Sequence, residues 1–351
     1  MSPVGKIDAG LRSPEKRRTA GGSAAQAAPR PAAPAGDRVA YVTVSASGAG
    51  QRLDNFLLRL ARGVPKSHVY RIVRSGEVRV NRARATVDQR LAEGDELRIP
   101  PLRVAASRAE SAPPAPAQVP PVIYEDEHLL VVDKPAGLAA HGGSGVVHGL
   151  IERVRAARPN QPFLELAHRL DRETSGLLLL AKTRRALLDL HEQLREGDVD
   201  KRYLALVAGD WVNDRQHVRL PLARLPASGG DRRVVVDEEQ GVAAHTIFTL
   251  RRRYGAYSLL EAELRTGRTH QIRVHLAHLG FPIAGDPRYG SFALNRALAR
   301  GVGGPRLGRM FLHAHAVSLR HPASAASLTL AAPLPPECQD FLDALARDRQ
   351  P

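Results

Sequence analysis

The sequence predicts an α+β protein whose larger part is built on a mixed, mainly antiparallel β-sheet. Strand-like and helix-like segments are interspersed along residues 122–351, and glycines and prolines mark many reversals between them, which favours hairpins over a regular βαβ series. A smaller segment at 44–104 has helical and strand patterns of its own. Residues 1–43 and 105–121 contain stretches rich in Ala, Pro and Ser or Gly. We therefore expect a disordered tail, a small domain, a linker and a large domain.

The elements of the small domain follow from the spacing of its apolar residues. Ser67 is placed to cap a second helix, which Gly76 would end. Alternation at 78–80 and 97–99 predicts short strands, with a turn at Asn81. The first helix is predicted by four apolar residues at i, i+3, i+4 and i+7: Leu53, Phe56, Leu57 and Leu60.

The large domain is predicted to open with a strand at 129–133. An uninterrupted apolar run at 177–182 predicts a buried strand. Thr183, which follows that run, is placed to cap a helix that Gly197 would end. Alternating patterns predict two further strands, at 203–208 and 257–264.

The composition is strongly basic. The 351 residues include 51 Lys and Arg against 36 Asp and Glu, a net charge of +15 at pH 7. This excess fits a polyanionic partner, although Arg-rich codon usage produces some of the same bias. Residues 51–104 alone carry a net charge of +6. The candidate RNA contacts here are Lys66, Arg71 and Arg74 on the second predicted helix, and the alternative is an ordinary solvated surface.

Several classes of protein and chemistry lack support in the sequence. Cys338 is the single cysteine, so an internal disulfide and multi-cysteine metal sites are excluded. The sequence has no P-loop motif, no GxSxG motif and no HExxH motif. His275 and His278 are better explained as packed or hydrogen-bonded side chains than as metal ligands. Because these motifs are missing, we expect no metal and no cofactor. The sequence also lacks a long apolar run and a secretory h-region, so we expect a cytoplasmic protein with no membrane partner.

Residues 168–176 place many charged side chains directly before the buried strand. Charges between apolar elements are costly unless they are paired, and loops held by a buried strand commonly display catalytic groups. Asp171 is the candidate catalytic carboxylate of this segment. The alternative is structural, since Asp171 with Thr174 and Ser175 also fits a simple turn.

Residues 266–275 form the second candidate segment. Thr269 is placed to cap a helix that Gly280 would end. His270 and Arg273 are three residues apart, so both can point into one cleft, while the alternative is a set of surface basic residues. The apolar side of the helix is predicted to consist of Ile272, Leu276 and Leu279.

Two resemblances to known families follow from these motifs. The small domain resembles the S4 RNA-binding domain through Arg52-Leu53-Asp54, Ser67, Arg71, Ile72, Gly76, Val78 and Val80-Asn81. The large domain resembles the RluA family of RNA pseudouridine synthases, most closely its RluC type, which carries an S4 domain and acts on 23S ribosomal RNA. Three ordered motifs carry that resemblance: His168-Arg169-Leu170-Asp171-x-x-Thr174-Ser175-Gly176, Lys201-x-Tyr203-x-Ala205-x-Val207 and Gly267-Arg268-Thr269-His270-Gln271-Ile272-Arg273-Val274-His275.

The resemblance implies a role for each candidate site residue. Asp171 would be the catalytic aspartate, Arg273 its partner, and Tyr203 the ring that stacks on the target base and removes its C5 proton. Arg169 would fill the stack that the flipped uridine vacates. Arg268 would contact phosphate or order the site, as would His270.

The implied substrate is 23S ribosomal RNA, free or in an assembling large subunit, and we expect a monomer. Two other functions remain open. One is a pseudouridine synthase that acts on tRNA or on another ribosomal site. The other is a non-catalytic RNA-binding assembly factor, in which the candidate catalytic loop has become structural.

Overall fold

The computed structural model describes residues 39–45, 48–61, 64–102, 119–142, 149–225 and 233–347. For Lys66 it describes the backbone and not the side chain. Residues 1–38 of the expected tail and residues 105–118 of the expected linker lie outside the described residues.

The small domain is a four-stranded antiparallel sheet with two helices. Its strand order is β1-β4-β2-β3. Strand β1 pairs with β4 although its residues fall in the segment expected to be tail. The elements are β1 (Ala40–Thr43), α1 (Leu53–Leu60), α2 (Lys66–Arg74), β2 (Arg79–Val80), β3 (Ala83–Arg84) and β4 (Glu96–Ile99).

The two predicted helices of the small domain are confirmed, but the predicted cap of α2 is wrong. The helix begins at Lys66, and the carbonyl of Pro65 accepts hydrogen bonds from the amides of His68 and Val69. Ser67 therefore lies inside the first turn, and the cap position belongs to Pro65, which has an extended ψ of 141° and makes no side-chain capping bond. Gly76 follows the helix at a φ of 79°, as predicted for a residue that ends it.

The large domain is a ten-stranded sheet flanked by five helices among the residues described. Its strands are β5 (Val122–Glu125), β6 (Leu129–Lys134), β7 (Glu165–Leu166), β8 (Ser175–Ala181), β9 (Asp200–Ala208), β10 (Arg215–Val218), β13 (Thr246–Arg253), β14 (Tyr257–Leu264), β15 (Leu312–Arg320) and β16 (Ser327–Ala331), while β11 (Leu222–Arg224) and β12 (Val234–Val236) form a separate hairpin. The helices are α3 (Leu150–Ala156), α4 (Arg184–Glu196), α5 (Gln271–His278), α6 (Phe292–Arg300) and α7 (Pro336–Arg347).

The predicted mixed, mainly antiparallel sheet is confirmed. The main strand order is β10-β13-β14-β9-β15-β8-β6-β5, with β16 paired to β15 and β7 paired to β8. Within the described part of the chain, only β8 and β15 pair in parallel. Because β15 lies between β8 and β9, the loop before β8 and the start of β9 are brought to the same region of the sheet.

Strand β8 is apolar throughout because the sheet is covered on both faces. Leu178 and Leu180 pack into one hydrophobic cluster, and Leu177 and Leu179 pack into another on the opposite face. All seven residues of the strand are buried. A loop that leads into this strand therefore has a rigid support.

Helix α4 matches its predicted signals. The Thr183 hydroxyl accepts a hydrogen bond from the amide of Ala186, and Gly197 ends the helix at a φ of 85°. None of the helices in the described ranges has the length and apolar character needed to cross a membrane.

Candidate active site

The main cleft of the large domain is a cavity of about 810 Å³. Its walls come from the loop before β8, from the start of β9 and from the segment between β14 and α5. The three candidate motifs, which are far apart in sequence, therefore meet at one place. The predicted site residues that line this cavity are Arg169, Asp171, Tyr203, Arg268, His270 and Arg273.

Asp171 and Arg273 are directly paired in this cavity. The guanidinium Nη1 of Arg273 donates to Oδ2 of Asp171 over 3.1 Å. The Asp171 side chain is 24 % exposed, whereas that of Arg273 is 5 % exposed. The carboxylate is thus open to a ligand, while its cationic partner lies behind it.

Arg273 is held in turn by a second carboxylate, Asp286, which the sequence analysis missed. Its Nε and Nη2 donate to the two oxygens of Asp286, each over 2.8 Å. Asp286 is fully buried and also accepts the backbone amides of Arg288 and Tyr289. Such a two-point contact fixes the plane of the guanidinium and leaves Nη1 aimed at Asp171.

The electrostatics of this arrangement favour both charges. Burial opposes the charge on Arg273, but its hydrogen bonds to Asp286 raise its pKa above the ordinary value. Burial likewise opposes the charge on Asp286, and the hydrogen bonds from Arg273 lower its pKa nevertheless. The buried pair therefore stays ionised and presents a permanent cation to Asp171.

His270 begins α5 in a left-handed conformation, with a φ of 56°. The predicted Thr269 cap is wrong, since the Thr269 hydroxyl accepts a hydrogen bond from Arg224 instead. Tertiary contacts set the conformation of His270: its Nδ1 is 2.9 Å from the Tyr289 hydroxyl, and its Nε2 is 3.8 Å from Oδ1 of Asp171. Burial lowers the pKa of His270, which favours the neutral ring.

The main chain around Asp171 is anchored by Lys134, at the end of β6. Its buried ammonium donates to the carbonyls of Pro135 and Leu138 over 2.9 Å each, and to that of Arg172 over 3.1 Å. Burial lowers the pKa of Lys134 to about 7. The sequence signal for this anchor was a lysine at the end of a mostly apolar strand. A lysine in such a place is rarely fully buried unless its ammonium has partners.

The loop enters the sheet through Ser175 and Gly176. Gly176 has a φ of 110°, and a Cβ there would lie 2.3 Å from the carbonyl oxygen of Ala314 on β15. The Ser175 hydroxyl accepts a hydrogen bond from Arg309 over 2.6 Å and lies 2.9 Å from Nδ1 of His313. Asp171 is therefore displayed just before a tightly packed junction.

Tyr203 lies on β9 and is 7 % exposed, with its ring at the cavity. Burial raises its pKa well above the usual value, and the charge of Asp171 adds to the shift. The phenol therefore stays protonated at neutral pH. The ring offers an apolar surface beside the carboxylate, as a site that holds a flat base requires.

The remaining predicted site residues are cations at the surface. Arg169 and Arg268 are exposed, and the guanidinium of Arg268 donates to the carbonyl of Ala243. On α2, Arg71 and Arg74 are exposed beside Tyr70. The Arg74 guanidinium lies 5.8 Å from the centroid of the Tyr70 ring. The side chain of Lys66 lies outside the described part of the structure.

Chemically, the cleft offers one accessible carboxylate, a fixed cation and a buried aromatic ring. A carboxylate in this setting can attack or stabilise a carbon that develops positive charge. Across the residues described, no cluster of three or more His, Cys, Asp or Glu side chains is arranged to hold a metal ion.

Comparison with known proteins identifies two matching family models. The RNA pseudouridylate synthase model matches residues 128–278, and the S4 domain model matches residues 51–97. The chain is 48 % identical over 300 residues to the ribosomal large subunit pseudouridine synthase C of Escherichia coli (strain K12), an alignment that covers 84 % of this chain and 93 % of that protein. It is 46 % identical over 317 residues to the protein of the same name from Pasteurella multocida (strain Pm70), covering 89 % and 95 %.

Solved structures show the same fold. Human RNA Pseudouridylate Synthase Domain Containing 1 superimposes with a TM-score of 0.52 at 24 % identity, over 68 % of this chain and 99 % of that one. Human RNA Pseudouridylate Synthase Domain Containing 4 gives a TM-score of 0.51 at 25 % identity, over 64 % and 92 %.

Proposed function

The chain belongs to the RNA pseudouridylate synthase family, and from that premise we propose that it isomerises uridines of 23S ribosomal RNA to pseudouridine, with Asp171 as the catalytic carboxylate. The observation that carries the proposal is the accessible Asp171 carboxylate, paired with an Arg273 that Asp286 fixes from behind. The substrate is inferred from relatives that are named as pseudouridine synthases of the large ribosomal subunit.

The reaction breaks the bond between N1 of uracil and C1′ of the ribose, turns the base and joins C5 to C1′. The proton on C5 is lost and N1 gains one, so atoms and charge balance within one nucleotide. Positive charge develops at the sugar as the first bond breaks. The Asp171 carboxylate, open to the cavity, is the group that stabilises or attacks that carbon.

Tyr203 acts by stacking on the uracil in this proposal. Its raised pKa keeps the phenol protonated, so removal of the C5 proton by a phenolate is disfavoured. A stacked aromatic ring contributes on the order of 1–3 kcal/mol per base to binding. That contribution helps to hold a uridine that has left its helix.

The surrounding cations would hold the RNA. Arg169 is assigned to the vacated stack, and Arg268 and His270 to ordering the site or contacting phosphate. In the S4 domain, the residues assigned to contacts with the RNA backbone are Lys66, Arg71 and Arg74. We retain the linker at 105–121 and the synthase domain at 122–351, but the predicted boundary between tail and S4 domain at 43/44 is wrong, because β1 begins at Ala40 and pairs with β4. We expect a monomer that acts in the cytoplasm.

Replacement of the proposed catalytic group tests the mechanism. Asp171→Asn keeps the shape of the side chain but removes its negative charge, and we expect pseudouridine formation in 23S RNA to fall at least about a thousandfold. RNA affinity should change little. Tritium release from 5-tritiated uridine measures the reaction, and filter binding measures the affinity.

Glu173→Gln provides the matched control. Glu173 is two residues away and pairs with the exposed Arg172, so its loss should leave the reaction intact. An Asp171→Asn protein that still makes pseudouridine would refute the assignment. If the wild-type protein releases no tritium from ribosomal RNA but does so from tRNA, the substrate is wrong. If it releases tritium from neither RNA, the protein is an assembly factor.

A further inference from the structure

Helix α6 lies next to the candidate active site, and the proposed reaction assigns no role to its side chains. Its Asn295 side chain donates to the carbonyl of Asp286 over 2.6 Å and accepts the amide of Gly285 over 3.0 Å. The helix is therefore fixed to the loop that holds Arg273. Tyr289, whose hydroxyl lies 2.9 Å from His270, is only three residues before Phe292, the first residue of the helix. Three residues span at most about 11 Å.

Phe292 is unusually placed for its type. The chain has seven phenylalanines, all within the described residues, and the other six are buried or partly buried. Phe292 is 73 % exposed. The Arg296 guanidinium, one turn further along, lies 4.6 Å from the centroid of its ring. An exposed aromatic ring and a cation thus share one face of the helix.

The segment that carries this pair is one-sided in charge. Residues 287–336 contain six arginines and no Asp, Glu or Lys, although two of these arginines, Arg309 and Arg320, pair with Glu337 and Asp189 outside the segment. A protein partner with an apolar patch would not need such a one-sided charge, whereas a nucleic-acid strand requires it. Ring plus guanidinium is the pair of groups with which proteins bind an unpaired base and its neighbouring phosphate.

We propose that Phe292 and Arg296 form a second RNA contact, on which an unpaired nucleotide beside the target uridine stacks. The inference rests on the proposed function, since it takes the same RNA as ligand. Phe292 would supply the stacking surface and Arg296 the contact to the phosphate. Their place on a helix tied to the Asp286 loop sets the distance between this nucleotide and the flipped uridine.

The test measures Kd, KM and kcat with transcribed 23S RNA. Phe292→Leu keeps an apolar side chain but loses the aromatic face, and we expect Kd and KM to rise at least about fivefold with kcat unchanged. Arg296→Gln should raise Kd and flatten its salt dependence. Val302→Ala is the matched control, because Val302 is 67 % exposed just beyond the same helix and offers no aromatic ring.

A spectroscopic readout separates stacking from a structural role. The one native tryptophan, Trp211, is 1 % exposed, so Phe292→Trp adds a single exposed indole. We expect that variant to bind as wild type and its added fluorescence to be quenched by RNA.

Two outcomes overturn the inference. One is a Phe292→Leu protein with wild-type Kd and KM, and the other is an indole at position 292 that RNA leaves unquenched. A wild-type protein that makes no pseudouridine, while Phe292→Leu still weakens RNA binding, would instead refute the proposed function alone.

Discussion

The S4 domain and the candidate catalytic cleft both contain predicted functional arginines, but they place them in opposite surroundings. On α2, the side chain of Arg71 is 63 % exposed, and its nearest carboxylate, Glu77, is 3.9 Å away. In the cleft, Arg273 is 5 % exposed and bonded to two aspartates. The charge of the first arginine acts over a distance and is screened by salt, whereas the second arginine makes directed hydrogen bonds to particular oxygens of its two partners.

The difference shows what burial does for a cation. Removing a guanidinium from water is costly, and the cost is offset in the cleft only because Asp286 receives two hydrogen bonds from it. In return, the position of Nη1 beside Asp171 is fixed before any RNA arrives. The exposed arginines of α2 avoid this cost, and in the proposed function they would contribute RNA affinity without a fixed geometry.

The largest expected effect comes from removing the buried anchor. Asp286→Ala leaves Arg273 buried without its main partner, so we expect unfolding free energy to fall by about 3–5 kcal/mol and activity to be lost. Urea unfolding, followed by the fluorescence of the buried Trp211, measures the first effect.

Glu192→Ala is the control for that loss, because it removes a partner of Arg195 from an ion pair in which the arginine is 70 % exposed and the carboxylate 58 % exposed. Its cost should stay below about 1 kcal/mol. Equal costs for the two variants would abolish the distinction between buried and exposed arginines.

Acid should weaken the synthase domain through histidines that burial keeps neutral. Burial lowers the pKa of His313 to about 4 from an ordinary 6.5. Between these values the unfolded chain binds the extra proton, so stability is complete above about pH 6.5 and falls as the pH drops toward 4. The fall from His313 reaches about 3 kcal/mol, at most about 1.4 kcal/mol per pH unit.

His313→Gln should reduce this dependence without removing it, because burial also lowers the pKa of His168 to about 4. The measurement is the free energy of unfolding in urea at pH 7 and pH 5. A slope that the substitution leaves unchanged would show that His313 titrates alike in both states.

The smallest expected effects lie in the S4 domain. Arg71→Gln and Arg74→Gln should each weaken RNA binding severalfold and reduce the slope of log K against log salt by about 1, with stability and kcat unchanged. Arg347→Gln, at an exposed position on α7, should leave the slope unchanged. If either S4 variant lowers kcat instead, the domain takes part in positioning the uridine.

Sequence patterns predicted the elements better than their ends. The spacing of Leu53, Phe56 and Leu57 predicts α1 because these residues share one buried face. Both wrong caps, Ser67 and Thr269, were plausible locally and were overruled by other contacts. Pro65 occupies the cap position that Ser67 was predicted to hold, and the surroundings of His270 keep that histidine in a left-handed conformation that propensity does not favour.

The cavity residues were predictable only as far as the motifs extend. Asp171, Tyr203 and Arg273 belong to recognisable motifs, and the structure places all three at one cavity. Asp286 and Lys134 act through geometry that a sequence does not display, since Asp286 holds an arginine 13 positions away and Lys134 reaches the carbonyl of Arg172, 38 positions away. The available signal for Lys134 was a charge at the end of a mostly apolar strand.

Gly176 makes the exit of the catalytic loop intolerant of mutation. Any side chain there would collide with the backbone of Ala314, so every codon change that alters the residue also disturbs the only parallel pairing in the described part of the main sheet. A protein engineer who wishes to move Asp171 by changing where its loop enters the sheet would therefore have to rebuild β15 around Ala314 as well.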